Sequence, residues 1–543
     1  MKVIAVIEAD YERGALGTRS RLGDALAGET VIRRTLRQTL AARRVASVHL
    51  VVPARQQAEA QQAAAGLAVR VETHEAAPVP WREHVAAARK WSLDAWRGGI
   101  GGATVFDESL NPWVVSALAQ RESAEAVAAV PAGAALLDPG LLDEMIGHFE
   151  KVRDQMRMVF TQSAPGLSAA VYSPALLADL AATVQPPGRV MAYLPSDPRR
   201  DMVMQPCYYS PDPAIAYAAG RCIADTDEAF KRMERILSDA GGGGPDARAV
   251  SLRLAREQHV SAPLPAEVEI ELTTDDPLPE STLRPRGAAV GRRGPMDAGL
   301  FRRLVEELSG RDDVRVVLGG FGDPLMHPDW PALLADGRRA GLFGLAVRTP
   351  AVGLDERASA ALIDAHVDVL NVPLDAMTAG TYARVHGQDL FDRVVANLER
   401  FLALRQEARR AVPLLVCEMM KTPDTLAEME AFYDHWISKT GSAAIAGPSA
   451  YGGRRPDLSV VRMAPPARFA CGRVFNRALV LADGRVPACD QDFRGEHAIG
   501  SLTEASLADL WQGAAFREVR ARQLDGTFAS LPICAACEEW HRP

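Results

Sequence analysis

The chain is 543 residues long, 48% hydrophobic and 24% charged, a composition of globular proteins with length for roughly three or more domains. A net charge of −8, with no run of Lys and Arg, excludes the broad basic field that nucleic acid requires. No stretch reaches the roughly 18–20 apolar residues of a membrane span, and Met1-Lys2-Val3 leads into a strand-like segment without a cleavage site, so a cytoplasmic protein is expected.

In chain order, Lys2 to Glu8 reads as a buried parallel strand, Val31 to Ala42 as a helix and His49 to Pro53 as a second strand, a βαβ unit. After the first strand comes Gly14-Ala15-Leu16-Gly17-Thr18-Arg19, a glycine-bearing loop where open α/β sheets bind phosphates. Steric need at a turn explains such glycines equally well. Gly17-Thr18-Arg19, the helix after Gly28-Glu29-Thr30, a strand end at Val105-Phe106-Asp107-Glu108, and Gln162-Ser163-Ala164-Pro165-Gly166-Leu167 form a wider pattern. It resembles the nucleotidyltransferase fold of sugar-nucleotide enzymes, in particular the cytidylyltransferase-like proteins of surface-polysaccharide pathways. The resemblance implies a Rossmann-like domain over residues 1–227 with a nucleotide or sugar as ligand. It places phosphate contacts on Gly17, Thr18 and Arg19, and Mg2+ on Asp107. The lysine that this family keeps in its glycine loop is absent, and only Arg19 or Arg21 could replace it, with a bulkier head.

Residues 228–265 are expected to form a helical linker. A charged helix, Glu228 to Asp239, leads to the flexible break Gly241-Gly242-Gly243-Gly244-Pro245, then a second helix, Asp246 to Gln258, and Ser261-Ala262-Pro263-Leu264-Pro265. From Val268 onward strand and helix candidates alternate, which argues a parallel barrel or partial barrel over residues 266–455. Gly319-Gly320-Phe321-Gly322-Asp323-Pro324-Leu325 with His327-Pro328, Leu374-Asp375-Ala376 and Tyr382-x-x-Val385-x-Gly387 resemble radical S-adenosylmethionine (radical SAM) enzymes. That resemblance implies a partial (β/α)6 TIM-type barrel in which Gly319, Gly320, Gly322, Asp323 and Pro324 meet S-adenosylmethionine. The family places C-x3-C-x2-C after its first strand; the matching positions here are Asp276, Glu280 and Leu283. Carboxylates are hard ligands and leucine is none, so this segment suits no iron cluster. Cys207, Cys222 and Cys417 read as small buried residues.

Residues 456–543 contain the other four cysteines, Cys471, Cys489 and the pair Cys534-x-x-Cys537. Val474 to Leu481, Asp483-Gly484 and Val486 to Cys489 read as a hairpin that brings Cys471 and Cys489 to one site, which the close pair then completes. Seven cysteines, an odd number, in a chain of this size argue against disulfides. The residues alone leave zinc and an iron–sulfur cluster both open. Cys471-Gly472, Asp483-Gly484-Arg485-Val486, Cys489-Asp490-Gln491-Asp492, Ile499-Gly500-Ser501-Leu502, Leu510-Trp511, Phe516, Arg520 and Cys534-x-x-Cys537 resemble the SPASM/twitch auxiliary-cluster domain of radical SAM proteins. The resemblance implies that the four thiols hold one 4Fe–4S cluster. The expected function is that of an iron–sulfur protein of radical SAM/SPASM type that has lost the three-cysteine motif, linked to surface-polysaccharide or sugar-nucleotide metabolism. The alternative is a metal-dependent nucleotidyltransferase acting on a sugar or sugar acid, with the barrel as scaffold.

Overall fold

The computed structural model describes residues 1–198, 200–240 and 244–542. They divide into two compact units, Met1–Gln258 and His259–Pro543. No helix among the described residues is long and apolar enough to cross a membrane.

The first unit is built on a six-stranded sheet in the order Val69–His74, Ser47–Pro53, Val3–Glu8, Ala126–Ala129, Ala170–Tyr172, Met158–Val159. The first four are parallel and the last two antiparallel to their neighbours. Side chains of the first strand alternate between two cores, Val3, Ala5 and Ile7 facing one and Ile4 and Val6 the other, as the period of two requires. Thr30 starts the following helix, Val31–Leu40, by accepting the Arg33 N–H at 3.4 Å. The chain leaves Val3–Glu8 toward Ser47–Pro53 and Val69–His74 on one side and returns to Ala126–Ala129 on the other, so the sheet has a switch point between Val3–Glu8 and Ala126–Ala129. Open α/β sheets form their binding crevice there, beyond the strands' carboxyl ends.

The segment expected as a linker belongs to this unit as far as Gln258, and its remainder to the second unit, where Leu264 joins the core. Helices Asp227–Asp239 and Ala247–Glu257 bury Met233, Ile236, Leu237, Val250 and Leu254 in the same core as Val3 and Ile7. Their charged residues mask an apolar face at helical spacing. Gly241 to Gly243 of the expected break lie outside the described residues.

In the second unit, Glu267–Glu271, Arg315–Gly319, Gly344–Arg348, Val369–Pro373, Leu414–Met420 and Ala443–Ala446 pair in sequence order, every neighbour parallel. Helices Ala298–Glu307, Trp330–Arg339, Glu356–Asp364, Phe391–Glu407 and Met429–Thr440 lie between them in the chain. This is the parallel arrangement the alternation argues, with the six strands the radical SAM resemblance implies. A seventh strand was not foreseen: Arg477–Val480 pairs in parallel with Glu267–Glu271 and extends the barrel sheet.

The expected hairpin is thereby corrected. Its turn exists, with the Gly484 N–H donating to Leu481 O and the Leu481 N–H to Arg485 O. Its ladder does not continue: Arg485–Pro487 pairs antiparallel with Ala498–Ser501 instead. Ala478 and Val480 join the main barrel core, while Leu479 and Leu481 pack with Phe321, Tyr451 and Phe493. A strand apolar on both faces is satisfied inside a parallel sheet, where both faces are covered.

Candidate functional site

Four of the five cysteines of the second unit, all but Cys417, reach one place from three segments. Cys471 precedes the short helix Arg473–Asn476, Cys489 follows the strand Arg485–Pro487, and Cys534 and Cys537 share a turn in which the Cys537 N–H donates to Cys534 O. Burial pushes every one of these thiols up, Cys534 to about 11, and Cys471 adds electrostatic repulsion at Cys489, Cys534 and Cys537. Such a set is costly as thiolates until a cation takes up the charge. Among the described residues no three of the four sulfurs lie within 4.8 Å of one another. One zinc ion with bonds of ~2.3 Å needs its sulfurs about 3.8 Å apart.

The surrounding side chains fix the cage. Gln523 accepts the Cys471 N–H at 3.3 Å and donates to Cys534 Sγ at 3.2 Å. Arg468 donates to the carbonyls of Cys534 and Cys537 at 3.0 and 3.3 Å, its guanidinium 3.7 Å from the centre of the Phe528 ring. Arg473 pairs with Asp490 at 3.1 Å, next to Cys489.

The three positions that correspond to cluster cysteines behave differently. Asp276 accepts the Leu278 N–H at 2.8 Å and pairs with Arg286 Nε at 3.0 Å. Glu280 is exposed, and Leu283 packs against Val385 and Met420. Arg284 Nη1 meets Asp375 Oδ2 at 2.5 Å and its Nη2 meets Glu418 Oε1 at 2.7 Å, while Asp375 also accepts the Met420 N–H at 2.6 Å. Arginine–carboxylate pairs thus stand at the carboxyl ends of the barrel strands.

The glycine motif lies beside this network. Gly319 ends the second barrel strand, and Gly320, with φ +82°, donates to Glu269 Oε1 at 2.8 Å. The Gly320 carbonyl accepts from Arg286 Nη1 at 3.1 Å, and a Cβ at Gly322 would collide with Thr273 O. Asp323 caps the turn Pro324–Met326 by accepting the Leu325 N–H at 3.0 Å. Burial and the neighbouring Asp276 carboxylate push its acid up to about 7.

At the switch point of the first unit, beyond Val3–Glu8, lies a cavity of about 390 Å3 whose lining includes Glu8, Asp10, Arg13, Arg21, Arg82 and Asp225. The loop expected to bind phosphate meets it through Gly14 and Ala15 rather than through Gly17, Thr18 and Arg19. An Arg13–Arg19 bridge and the Gly14 N–H to Thr18 O bond fold the loop into a small hairpin, with Gly17 near its tip at φ +80°. Thr18 Oγ1 donates to Asp225 O, and Arg19 pairs with Asp24 at 2.6 Å on the surface. Asp107 stands in a 3-10 turn, Val105–Asp107, and not at a strand end. Its carboxylate accepts the Thr104 N–H at 2.6 Å, the Thr104 hydroxyl at 2.9 Å and the Gly188 N–H at 2.5 Å. Glu108 is tied to Arg89 at 2.7 Å and to Arg221 at 2.6 Å.

Residues 283–433 match the radical SAM superfamily, and residues 471–538 match SPASM, an iron–sulfur cluster-binding domain. The chain carries a radical SAM domain followed by a SPASM domain. An uncharacterized protein of Treponema pallidum (strain Nichols) is 24% identical over 302 residues, 53% of this chain and 82% of that one. The GTP 3',8-cyclase of Chlorobaculum tepidum is 28% identical over 155 residues, 26% of this chain; the match spans 46% of that enzyme, less than half its length. The crystal structure of BtrN in complex with AdoMet and 2-DOIA is 18% identical, covers 50% of this chain and 93% of its own, and superposes with a TM-score of 0.35.

The radical SAM match begins at Leu283, so Asp276 and Glu280 precede it. Two residues of the SPASM domain escape sequence reasoning altogether, Gln523 and Arg468, because their partners stand 11 to 69 positions away and no local pattern marks them. The same holds for Glu271, buried at the end of the first barrel strand. Its carboxylate accepts from Arg293 at 2.7 and 2.9 Å, from Phe321 N at 3.2 Å and from Ala482 N at 3.1 Å, joining barrel and SPASM domain within the second unit.

Proposed function

We propose that the protein holds one 4Fe–4S cluster in its SPASM domain, on Cys471, Cys489, Cys534 and Cys537. We propose equally that its radical SAM barrel has lost the three-cysteine motif and no longer cleaves S-adenosylmethionine. The observation that carries this reading is the Arg284 network: Arg284 with Asp375 and Glu418, and Arg286 with Asp276 and the Gly320 carbonyl, engage groups that would otherwise face iron and cofactor. Four soft thiols with no hard ligand among them suit the soft irons of a cluster. A cluster whose ligands are all protein thiolates relays electrons or ties the fold together. Cys489 sits behind Asp490 and Arg473, which hold its segment in place, and Gln523 and Arg468 hold the rest.

The test is anaerobic reconstitution of the full chain, with iron, sulfide and visible absorption measured and 5'-deoxyadenosine sought after reduction with S-adenosylmethionine. About four irons and four sulfides are expected, lost on replacing Cys534 and Cys537 together by Ala, and no 5'-deoxyadenosine. One stoichiometric zinc and no iron, or turnover of S-adenosylmethionine, would overturn the reading.

The second reading rests on the cavity at the switch point of the first unit. There the protein takes a nucleotide or sugar ligand, in keeping with a place in surface-polysaccharide or sugar-nucleotide metabolism, and the barrel serves as scaffold. Arg13, Arg21 and Arg82 line that cavity and supply the positive charge expected from the missing lysine. Calorimetry with CTP, with and without Mg2+, tests it; no heat under either condition removes the nucleotide.

A further inference from the structure

The two ends of one buried amide grip two different thiol segments. Gln523 lies on the helix Ala514–Leu524, 3% exposed, and its Oε1 accepts the backbone N–H of Cys471 while its Nε2 donates to Cys534 Sγ. The first bond fixes the orientation of the amide: a backbone N–H can only donate, so the oxygen must face Cys471 and the NH2 must face the sulfur. Sulfur accepts that bond whether it is a thiol, a thiolate or a metal ligand. The contact is therefore made before any metal arrives and survives its arrival.

Geometry adds a division of labour. Among the described residues Cys537 Sγ receives only a backbone N–H, from Glu539 at 3.4 Å, and Cys489 Sγ lies 3.2 Å from Asp490 Oδ1, an acceptor to which a thiol can donate but a thiolate cannot. Cys534 is the sulfur with a side-chain N–H donor, and its carbonyl and that of Cys537 are held by Arg468. We propose that Gln523 is a positioning residue of the thiol cage, which it closes in the metal-free protein, and that its N–H on Cys534 Sγ sets the reduction potential of the group the cage holds. This rests on the cluster reading above. An N–H bond to a ligating sulfur favours the more negative, reduced cluster, so removing it lowers the potential.

The experiment uses the full chain in three forms: wild type, Gln523→Glu and Gln523→Leu. Glu keeps the length and the acceptor for Cys471 N and loses the donor to sulfur; Leu loses both. In metal-free protein the rate of modification by Ellman's reagent is read, and in reconstituted protein the iron count and the midpoint potential are read by titration. Expected are a several-fold faster modification of Gln523→Leu, a wild-type iron count in Gln523→Glu, and a midpoint at more negative potential in both variants, the neutral Gln523→Leu reporting loss of the N–H without the charge that Gln523→Glu adds. A Gln523→Glu midpoint equal to wild type, with Gln523→Leu thiols as slow as wild type, overturns this inference and leaves the cluster reading intact. Wild type that takes up no iron and sulfide takes down both.

Discussion

Arg284 and Asp375 form a buried ion pair across 91 residues of sequence, with 2.5 Å between Nη1 and Oδ2, in the part of the barrel where the family resemblance implies a metal cluster. The pair does not stand alone, since the same guanidinium reaches Glu418 and the same carboxylate accepts the Met420 N–H. One cation thus neutralises two acids at the carboxyl ends of neighbouring strands, Val369–Pro373 and Leu414–Met420.

Removing the arginine should therefore be severe. Arg284→Ala leaves Asp375 and Glu418 without their cation, and breaking a buried pair by deleting one partner costs about 3–5 kcal/mol. Replacing Arg284, Asp375 and Glu418 together by Met, Asn and Gln should cost much less, because no buried charge is then stranded and the amide oxygen of Asp375→Asn still accepts the Met420 N–H, at a positive φ that Asn tolerates. Urea denaturation of the two variants compares them. Equal losses would show that volume and not charge decides.

Asp323 gives the second unit a dependence on pH. Its acid is pushed up to about 7 by burial and by Asp276, against an ordinary value of 3.8, so the folded protein holds a proton that the unfolded chain has released. Stability from this group is full below pH 3.8 and is lost as pH rises through about 7. Asp323→Asn, which cannot ionise, should remove that slope: the free energy of unfolding of the variant should gain on wild type between pH 4 and about 7. A constant difference across the range would mean that the Asp323 proton is not linked to folding.

Much of this architecture is legible in the residues. The parallel strands of the barrel fall where apolar runs alternate with helical periods, and the SPASM domain is legible from the whole block around its cysteines, whose spacing alone leaves zinc and an iron–sulfur cluster both open. The failures share one cause, which is choice of partner. Val474 to Leu481 carries every local sign of a hairpin strand, yet its neighbour in the sheet is Glu267–Glu271, some two hundred positions earlier. Asp107 and Glu108 have the apolar lead-in of a strand end, but the capping bonds to Thr104 and Gly188 close a turn there. Charged residues on Asp227–Asp239 suggest a linker until the buried stripe Met233, Ile236, Leu237 finds the core. Periodicity reports which face is apolar; it does not report what covers it.

Asp107 can be assigned by experiment. Its oxygens serve Thr104 and Gly188, and a Cβ on Gly188 would collide with Oδ2. Asp107→Ala should then orphan two buried N–H groups and cost about 1–3 kcal/mol, and Gly188→Ala should be destabilising by steric clash. Neither loss should depend on magnesium. Thermal unfolding with and without Mg2+ reads this directly, and protection of wild type by Mg2+ that Asp107→Ala lacks would reassign the carboxylate to a metal.

Removal of the metal should divide the SPASM domain in two. Arg477–Val480 is held by its ladder to Glu267–Glu271 and by burial of Ala478, Leu479 and Val480, none of which involves a thiol. The segment Ile533 to Glu539, by contrast, is fastened by short turns, the two carbonyl bonds from Arg468, the Gln523 contact and, at its far end, the Glu539 carboxylate, which accepts the Ser449 hydroxyl and the Ala450 N–H at 2.8 Å. Because metal binding contributes folding energy wherever the ligands are its main tether, a chelator should loosen the second segment and leave the first unchanged. Hydrogen exchange of reconstituted protein before and after chelation is the measurement. Amides of 477–480 should stay slow and those of 533–539 should become fast. If the strand opens together with the tail, the cluster and not the barrel sheet holds it in place. Leu479→Ala supplies the independent check: deleting its buried side chain should cost about 2–5 kcal/mol with or without the metal, because its neighbours Phe321, Tyr451 and Phe493 belong to the core beneath the barrel strands and not to the thiol cage.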